Sequence, residues 1–415
     1  LKSVSDGEPG RGRPRIPALD LFRVLVVAFV VSVHTLSMGT KTTTLTGAFI
    51  TVFHTSRELF FLLTAFVLVY NYGRRANIRW LGFWRRRYAL VVPAYLAWTL
   101  IYFLSDGRQL DPVSAAVADF WHDVLTGDAR YQLYFLLVTM QLYLAFPLLR
   151  WLLRKTDGHH LALFLTACGY QLALTFASQH HLVTTGTIGA WLRNPDPWLP
   201  SYLLYVLAGA LAAWHADRLI AFTRRHAALA GPVFAAGVCA GVGSYLAAVT
   251  LGGQSPGAAS AVFQPVVVAE TLCFGWALFA AALAWDERGA RHRRLISAGA
   301  DSSFGIYLAH PLVLQGALLL GGTTGVLAAL HGIPDVLQLA AILGVGVPLI
   351  YGVSWALITF VRRTPLSLML TGRRADRRPR TAVTSGGPRP AAAADPAPPP
   401  DSRHPQPHQP GAIHA

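Results

Sequence analysis

Apolar stretches long enough to cross hydrocarbon, about 20 residues each, recur ten times along the chain, at roughly 19–38, 49–72, 88–104, 131–153, 160–178, 198–214, 227–250, 262–285, 299–320 and 336–361. Short polar connections join them. Helices in an aqueous core reach such lengths singly, but not ten in series. The pattern predicts an all-α, polytopic integral membrane protein with ten transmembrane helices. Composition agrees: 53% of the 415 residues are hydrophobic and 13% are charged, where a soluble domain carries about a quarter charged. Disorder over the whole length is excluded, because a chain this apolar can bury itself.

The basic residues alternate between connections. Basic residues in short loops stay on the cytoplasmic side, and with a cytoplasmic N-terminus that side receives 29 of the 35 Lys and Arg. Outside lie Lys41, Arg108, Arg130 and Arg193, while Arg23 and Arg57 fall within spans. One span too many or too few would scramble this order, so both termini are expected in the cytoplasm of a cell (plasma) membrane. The same sorting accounts for the net charge of +15 without nucleic acid, which needs a basic soluble face. Here the arginines edge the bilayer and attract anionic headgroups.

Three regions follow: a cytoplasmic segment over residues 1–16, a membrane domain over 17–361, and a basic, Pro- and Ala-rich cytoplasmic tail over 362–415 that is expected to be disordered. The first apolar run is full length, with no small-residue cleavage site behind a short core, so it reads as a span and not a cleaved signal. Cys168, Cys239 and Cys273 all fall in spans and are expected as buried packing thiols. No metal-ligand spacing occurs.

Ionisable side chains inside a span are costly and commonly functional. In LDLFRVLVVAFVVSVHTLSM, Arg23 and His34 are 11 residues apart. At about 100° per residue that is three turns plus about 20°, so they share one helix face about 16 Å apart. A neutral histidine at depth suits general-base work on a hydroxyl. A polar packing role for His34, and snorkelling to headgroups for Arg23, are the structural alternatives. In HTSRELFFLLTAF, Arg57 and Glu58 are adjacent and so are expected to have separate partners. Glu58 is a candidate to orient His34. Glu270, deep in the eighth span, is expected to make a structural hydrogen bond. Arg85, Arg86 and Arg87 in RWLGFWRRRYALVVPAYLAW either anchor the span with an aromatic belt or hold the phosphates of a nucleotide-bearing donor. In DSSFGIYLAHPLVL, Pro311 removes a backbone bond, and His310 is expected either to satisfy the freed carbonyl or to face a cavity.

Taken in order, these signals resemble the acyltransferase 3 family of integral-membrane O-acyltransferases, over about Pro17 to Val361. Arg23 and His34 match the family's arginine and histidine in the first helix. Glu58, Phe60, Phe61, Thr64 and Ala65 are similar to its acidic, Phe-Phe and Ser-Gly pattern, with two conservative departures. Arg87 and Pro93 fit its third helix, YQLYFLLVTMQLYLAFPLL is similar to its fourth, and SSFGIYLAHPLVL to its Ser, Ile-Tyr-Leu and His-Pro pattern. The second arginine of the paired motif falls at Leu90, which leaves that grip to Arg85 or Arg86. The resemblance implies catalysis by His34 with Arg23 essential to the site. It also implies acyl-CoA, with acetyl-CoA foremost, as donor substrate, no permanently bound cofactor, and a hydroxyl-bearing glycan, lipid or small molecule as acceptor.

Two rival readings remain open at this stage. A transporter or flippase would also bury charge, though paired helix-breaking Gly or Pro in matching halves is not evident; a non-catalytic family member stays open because of Leu90. The aspartates Asp106, Asp111, Asp119, Asp123 and Asp128, candidates for the outer-loop carboxylates of a glycosyltransferase, are irregularly spaced and read as solvated loop charge.

Overall fold

The computed structural model describes residues 15–107 and 111–375, and among these there is no strand. The segment before residue 15, Arg108, and the tail from 376 onward lie outside the described residues. The helices run α1 Ala18–Gly39, α2 Thr44–His54, α3 Ser56–Tyr72, α4 Trp80–Ser105, α5 Val113–Thr126, α6 Tyr134–Lys155, α7 His160–Gln179, α8 Gly186–Arg193 and α9 Leu203–Trp214. They continue with α10 Ala216–Arg225, α11 Ala230–Thr250, α12 Pro256–Ala259, α13 Pro265–Glu287, α14 Arg293–Thr323, α15 Val326–His331, α16 Asp335–Ala341, α17 Val347–Val361 and α18 Ser367–Thr371.

Nine spans among the described residues are long and apolar enough to cross a membrane. The sixth expected crossing, 198–214, departs from a simple span: Leu199–Trp214 bends by 89° into Ala216–Arg225. Leu199–Trp214 is a 3-10 turn, Leu199–Tyr202, followed by the 12 residues of α9, about 26 Å of rise, a little under the ~30 Å of a hydrocarbon core. α10 is amphipathic, burying Ala216 and Thr223 and exposing Arg218, Arg224 and Arg225, so it suits the interface. The aspartate-bearing connection also departs from a plain loop, since α5 occupies its centre. There Asp123 is buried and Asp106 pairs with Arg130 at 2.6 Å.

The basic ends of the helices meet at one end of the bundle. Arg150 donates to the Gly73 and Arg75 carbonyls, Arg74 to the Trp214 carbonyl, Arg224 pairs with Glu287 at 2.5 Å, and Arg15 bonds both Asp20 and Asp301. The hydrogen bond from Arg15 to Asp20 raises the guanidinium pKa above its ordinary value.

Packing centres on α3 against α9, α1 against α14 and α11 against α13. In lipid, helices approach closely where one side is small. Gly209 on α9 is such a point: an added Cβ would overlap the Leu62 backbone carbonyl of α3. Gly241 on α11 is another, where a Cβ would come within 2.6 Å of Glu270 Oε1. Glu270 is fully buried, and neither carboxyl oxygen hydrogen-bonds a described residue, so the structural bond expected of it is not made.

Pro93, Pro147 and Pro311 lie inside helices, and each leaves the carbonyl four residues back without its N–H. At Pro147 and Pro311 side chains supply the missing donors. The Trp84 indole N–H bonds the Tyr143 carbonyl opposite Pro147 at 2.8 Å, and His310 Nδ1 bonds the Tyr307 carbonyl opposite Pro311 at 2.8 Å.

Two further expectations are corrected. Residues 362–375, assigned to the tail, are ordered: α18 buries Ser367 and Thr371 and packs on α4 and α14. The cysteines are not all buried. Cys239 is exposed on the outer face of α11, and Cys168 and Cys273 are half-buried; an apolar thiol is at home against lipid as well as in a core.

Because backbone cannot yield as a side chain does, Gly209→Ala is expected to cost about 1–3 kcal/mol through overpacking. Thermal unfolding of purified protein in detergent measures it. An unchanged midpoint would mean that α3 and α9 do not meet this closely.

Candidate functional site

Two cavities open on the face of α1 that bears Arg23 and His34. The one toward the arginine-rich end has a volume of about 250 Å³, and its charged lining is Arg23, Arg87, Asp301 and Arg373. Arg87 is held over the rings of Tyr72, Tyr143 and Phe83, at 5.2, 5.6 and 5.9 Å. Arg85 and Arg86 do not line this cavity and are exposed. Two residues along a helix turn the side chain by about 200°, so of the three arginines proposed to grip a donor only Arg87 faces inward.

The second cavity, about 150 Å³, is lined by His34, His54, Arg57, Tyr131, Gln132, Tyr134 and Asp196 with apolar neighbours. The His34 ring lies 4.3 Å from the Tyr131 ring and stacks on His310 at 5.4 Å between centroids. His54 Nδ1 bonds the Ser260 carbonyl at 2.8 Å. A carbonyl only accepts, so Nδ1 carries the proton in His54, and by the same logic in His310. The bond that caps the Tyr307 carbonyl therefore leaves Nε2 of neutral His310 as an acceptor, and this atom is buried with no partner among the described residues.

Arg23 and His34 thus share a face of α1 turned to the bundle interior, as their spacing predicts, but they open into different cavities. Phe60, Phe135 and Tyr307 line both. Their ring centroids are 5.5, 5.6 and 5.2 Å apart pairwise, so three mutually packed rings form a common wall.

The expected roles of Arg57 and Glu58 need correction. They do not have separate partners: Arg57 Nε and Nη2 donate to Glu58 Oε1 at 2.9 and 2.7 Å, and Nη1 to Asp196 Oδ1 at 2.5 Å. The long guanidinium arm curls back at the start of α3, where the backbone breaks at Thr55, and reaches what the helix surface alone would separate. Glu58 is buried, lies outside the lining of the His34 cavity and does not bond His34. Arg57 also sits 4.5 Å over the Phe263 ring and 5.1 Å over Tyr202.

His54, Tyr131, Asp196, Asp301 and Arg373 were not singled out by the sequence. Asp196 sits in the turn-forming run Asn194-Pro195-Asp196-Pro197, which was a usable signal for a rigid polar corner. Asp301 and Arg373 carry none, since their meeting depends on the fold-back of α18.

The family model for the acyltransferase 3 acyltransferase domain matches residues 16–358. The chain belongs to the acyltransferase 3 family. Among curated proteins and solved structures none matches it. As a member of that family with nine or ten apolar spans among the described residues, the protein is a multi-pass membrane acyltransferase. The acyltransferase 3 match takes in every element around both cavities except α18 and Arg373.

Removing one partner of a buried ion pair costs about 3–5 kcal/mol, so Arg57→Ala, which strands Glu58, is expected to lower the unfolding midpoint strongly. His34 bonds no described residue through its ring nitrogens, and His34→Ala should shift the midpoint far less. Differential scanning fluorimetry of the two variants compares them; equal losses would contradict this division of labour.

Proposed function

We propose that the protein transfers an acyl group, acetyl above others, from acyl-CoA to a hydroxyl of a sugar, an envelope glycan or a secondary metabolite, with His34 as general base. One observation carries this reading: the Tyr131 hydroxyl and both amide atoms of Gln132 at the His34 cavity, and Nε2 of the His310 ring stacked on His34, are buried with no hydrogen-bond partner among the described residues. Each such group costs about 1–3 kcal/mol, a burden that native structures keep few of and that calls for an explanation such as a bound polar substrate.

The chemistry follows from those groups. His34 removes the proton of the acceptor hydroxyl, whose oxygen attacks the carbonyl carbon of the thioester. The Tyr131 O–H and the Gln132 N–H, which face the same cavity, donate to the developing oxyanion. Collapse breaks the carbon–sulfur bond, and the CoA thiolate recovers the proton from His34. Arg23 and Arg87, at the other end of the α1 face, hold the phosphates of the donor. A wall of packed rings between the phosphate end and the base favours a small acyl group. On this reading the arginine-rich end faces the cytoplasm across a cell (plasma) membrane, and Glu58 acts by positioning Arg57.

His34→Ala is expected to lower acyl transfer by about 10²- to 10⁴-fold, the usual worth of a general base, at normal abundance. Gln132→Leu, as loss of an oxyanion donor, is expected to cost about 10²- to 10³-fold in kcat. Membranes given labelled acetyl-CoA, followed by fractionation of the labelled product, provide the measurement. Full activity of His34→Ala would remove it as the base; no label transfer by the wild type would return the protein to a carrier or a non-catalytic member.

A further inference from the structure

The segment after the last span does not leave the bundle. α18 folds back onto α4 and α14, where the Trp98 indole N–H donates to the Leu370 carbonyl at 3.0 Å. Ser367 Oγ closes the turn by donating to the Arg373 carbonyl at 2.8 Å. The reversal occurs at Gly372, whose φ of +60° is a conformation that side chains rarely adopt. A Cβ there would also press on the Phe304 ring and the Leu90 carbonyl. This turn delivers Arg373 to the lining of the 250 Å³ cavity that Arg23 and Arg87 also line. Its Nη2 lies 3.1 Å from Asp301 Oδ1.

The charges do not balance. The lining holds three guanidinium groups and one carboxylate, Asp301, and that carboxylate is shared with Arg15 at 3.5 Å. Uncompensated cations beside low-dielectric walls focus potential on an anion, and three planar forks converging on one space match phosphate oxygens in a way that ammonium groups would not. We propose that Arg373 is a third phosphate-binding arginine of the donor site, brought in by the C-terminal fold-back and held there by Asp301. The ligand class is a diphosphate-bearing nucleotide donor. Arg373 lies beyond the residues matched to the family, so the family assignment does not cover it. The inference rests on the acyl-CoA reading above.

The test uses the full chain in lipid nanodiscs, with equilibrium binding of CoA and of inorganic diphosphate alongside acetyl-CoA kinetics. Arg373→Ala is expected to raise the Kd for CoA and the KM for acetyl-CoA by about 10- to 100-fold, the range of a charge-assisted hydrogen bond, with kcat changed less than about threefold. Arg373→Lys, which keeps the charge and loses the fork, should fall between and guards against misfolding of the alanine variant. Arg225→Ala, an equal loss of charge on exposed α10, should bind as wild type. Wild-type affinity in Arg373→Ala, or an equal loss in Arg225→Ala, overturns the proposal and leaves the acyl-CoA reading standing. Diphosphate binding that depends on Arg373 in a protein that ignores CoA would keep the site and overturn the donor reading. Binding of neither ligand by the wild type overturns both.

Discussion

Hydrocarbon offers a backbone carbonyl nothing to bond, so any carbonyl that a helix releases must find a donor inside the protein. The Tyr307 carbonyl is the case on which the site turns. Pro311 frees it, His310 Nδ1 takes it up, and the histidine is thereby fixed with its other nitrogen bare, its ring stacked on His34. Tyr307 itself acts at two further points. Its hydroxyl donates to the Gln132 carbonyl at 2.8 Å, tying α14 to the turn before α6, and its ring completes the wall with Phe60 and Phe135. A repair made necessary by lipid thus sets a histidine tautomer, and the tyrosine whose carbonyl it caps anchors the Gln132 turn and separates the two cavities.

The spans were legible because their signal is local: twenty apolar residues in a row need no partner to be recognised. The α1 face bearing Arg23 and His34 was legible for the same reason, since helical spacing alone puts them together. Failures came where a long side chain or a chain reversal overrode that spacing. Arg57 reaches Glu58 by curling around the start of a helix, and Arg373 reaches the cavity through a turn at Gly372 that the composition of the surrounding tail conceals. The arginine run at 85–87 was legible as a cluster, but its division into one inward and two outward side chains depends on the phase of α4 against its neighbours. The sixth span was legible as an apolar run, but its 89° bend into α10 was not, because apolar content carries no information on direction.

The division of the α1 face into two cavities gives the proposed reaction a physical logic. A donor bearing several negative charges is best held where guanidinium groups gather at the membrane edge, and its thioester is best attacked where water is scarce. Along one helix those demands sit about 16 Å apart, the rise between Arg23 and His34. Without an obstacle, a polar channel of that length would admit water to the base and let the thioester be hydrolysed in place of transferred. Three packed aromatic rings shared by the two cavities oppose this by presenting an apolar wall between them. Excluding water also strengthens the electrostatic interactions on either side, so the wall that separates charge from chemistry raises the effectiveness of both.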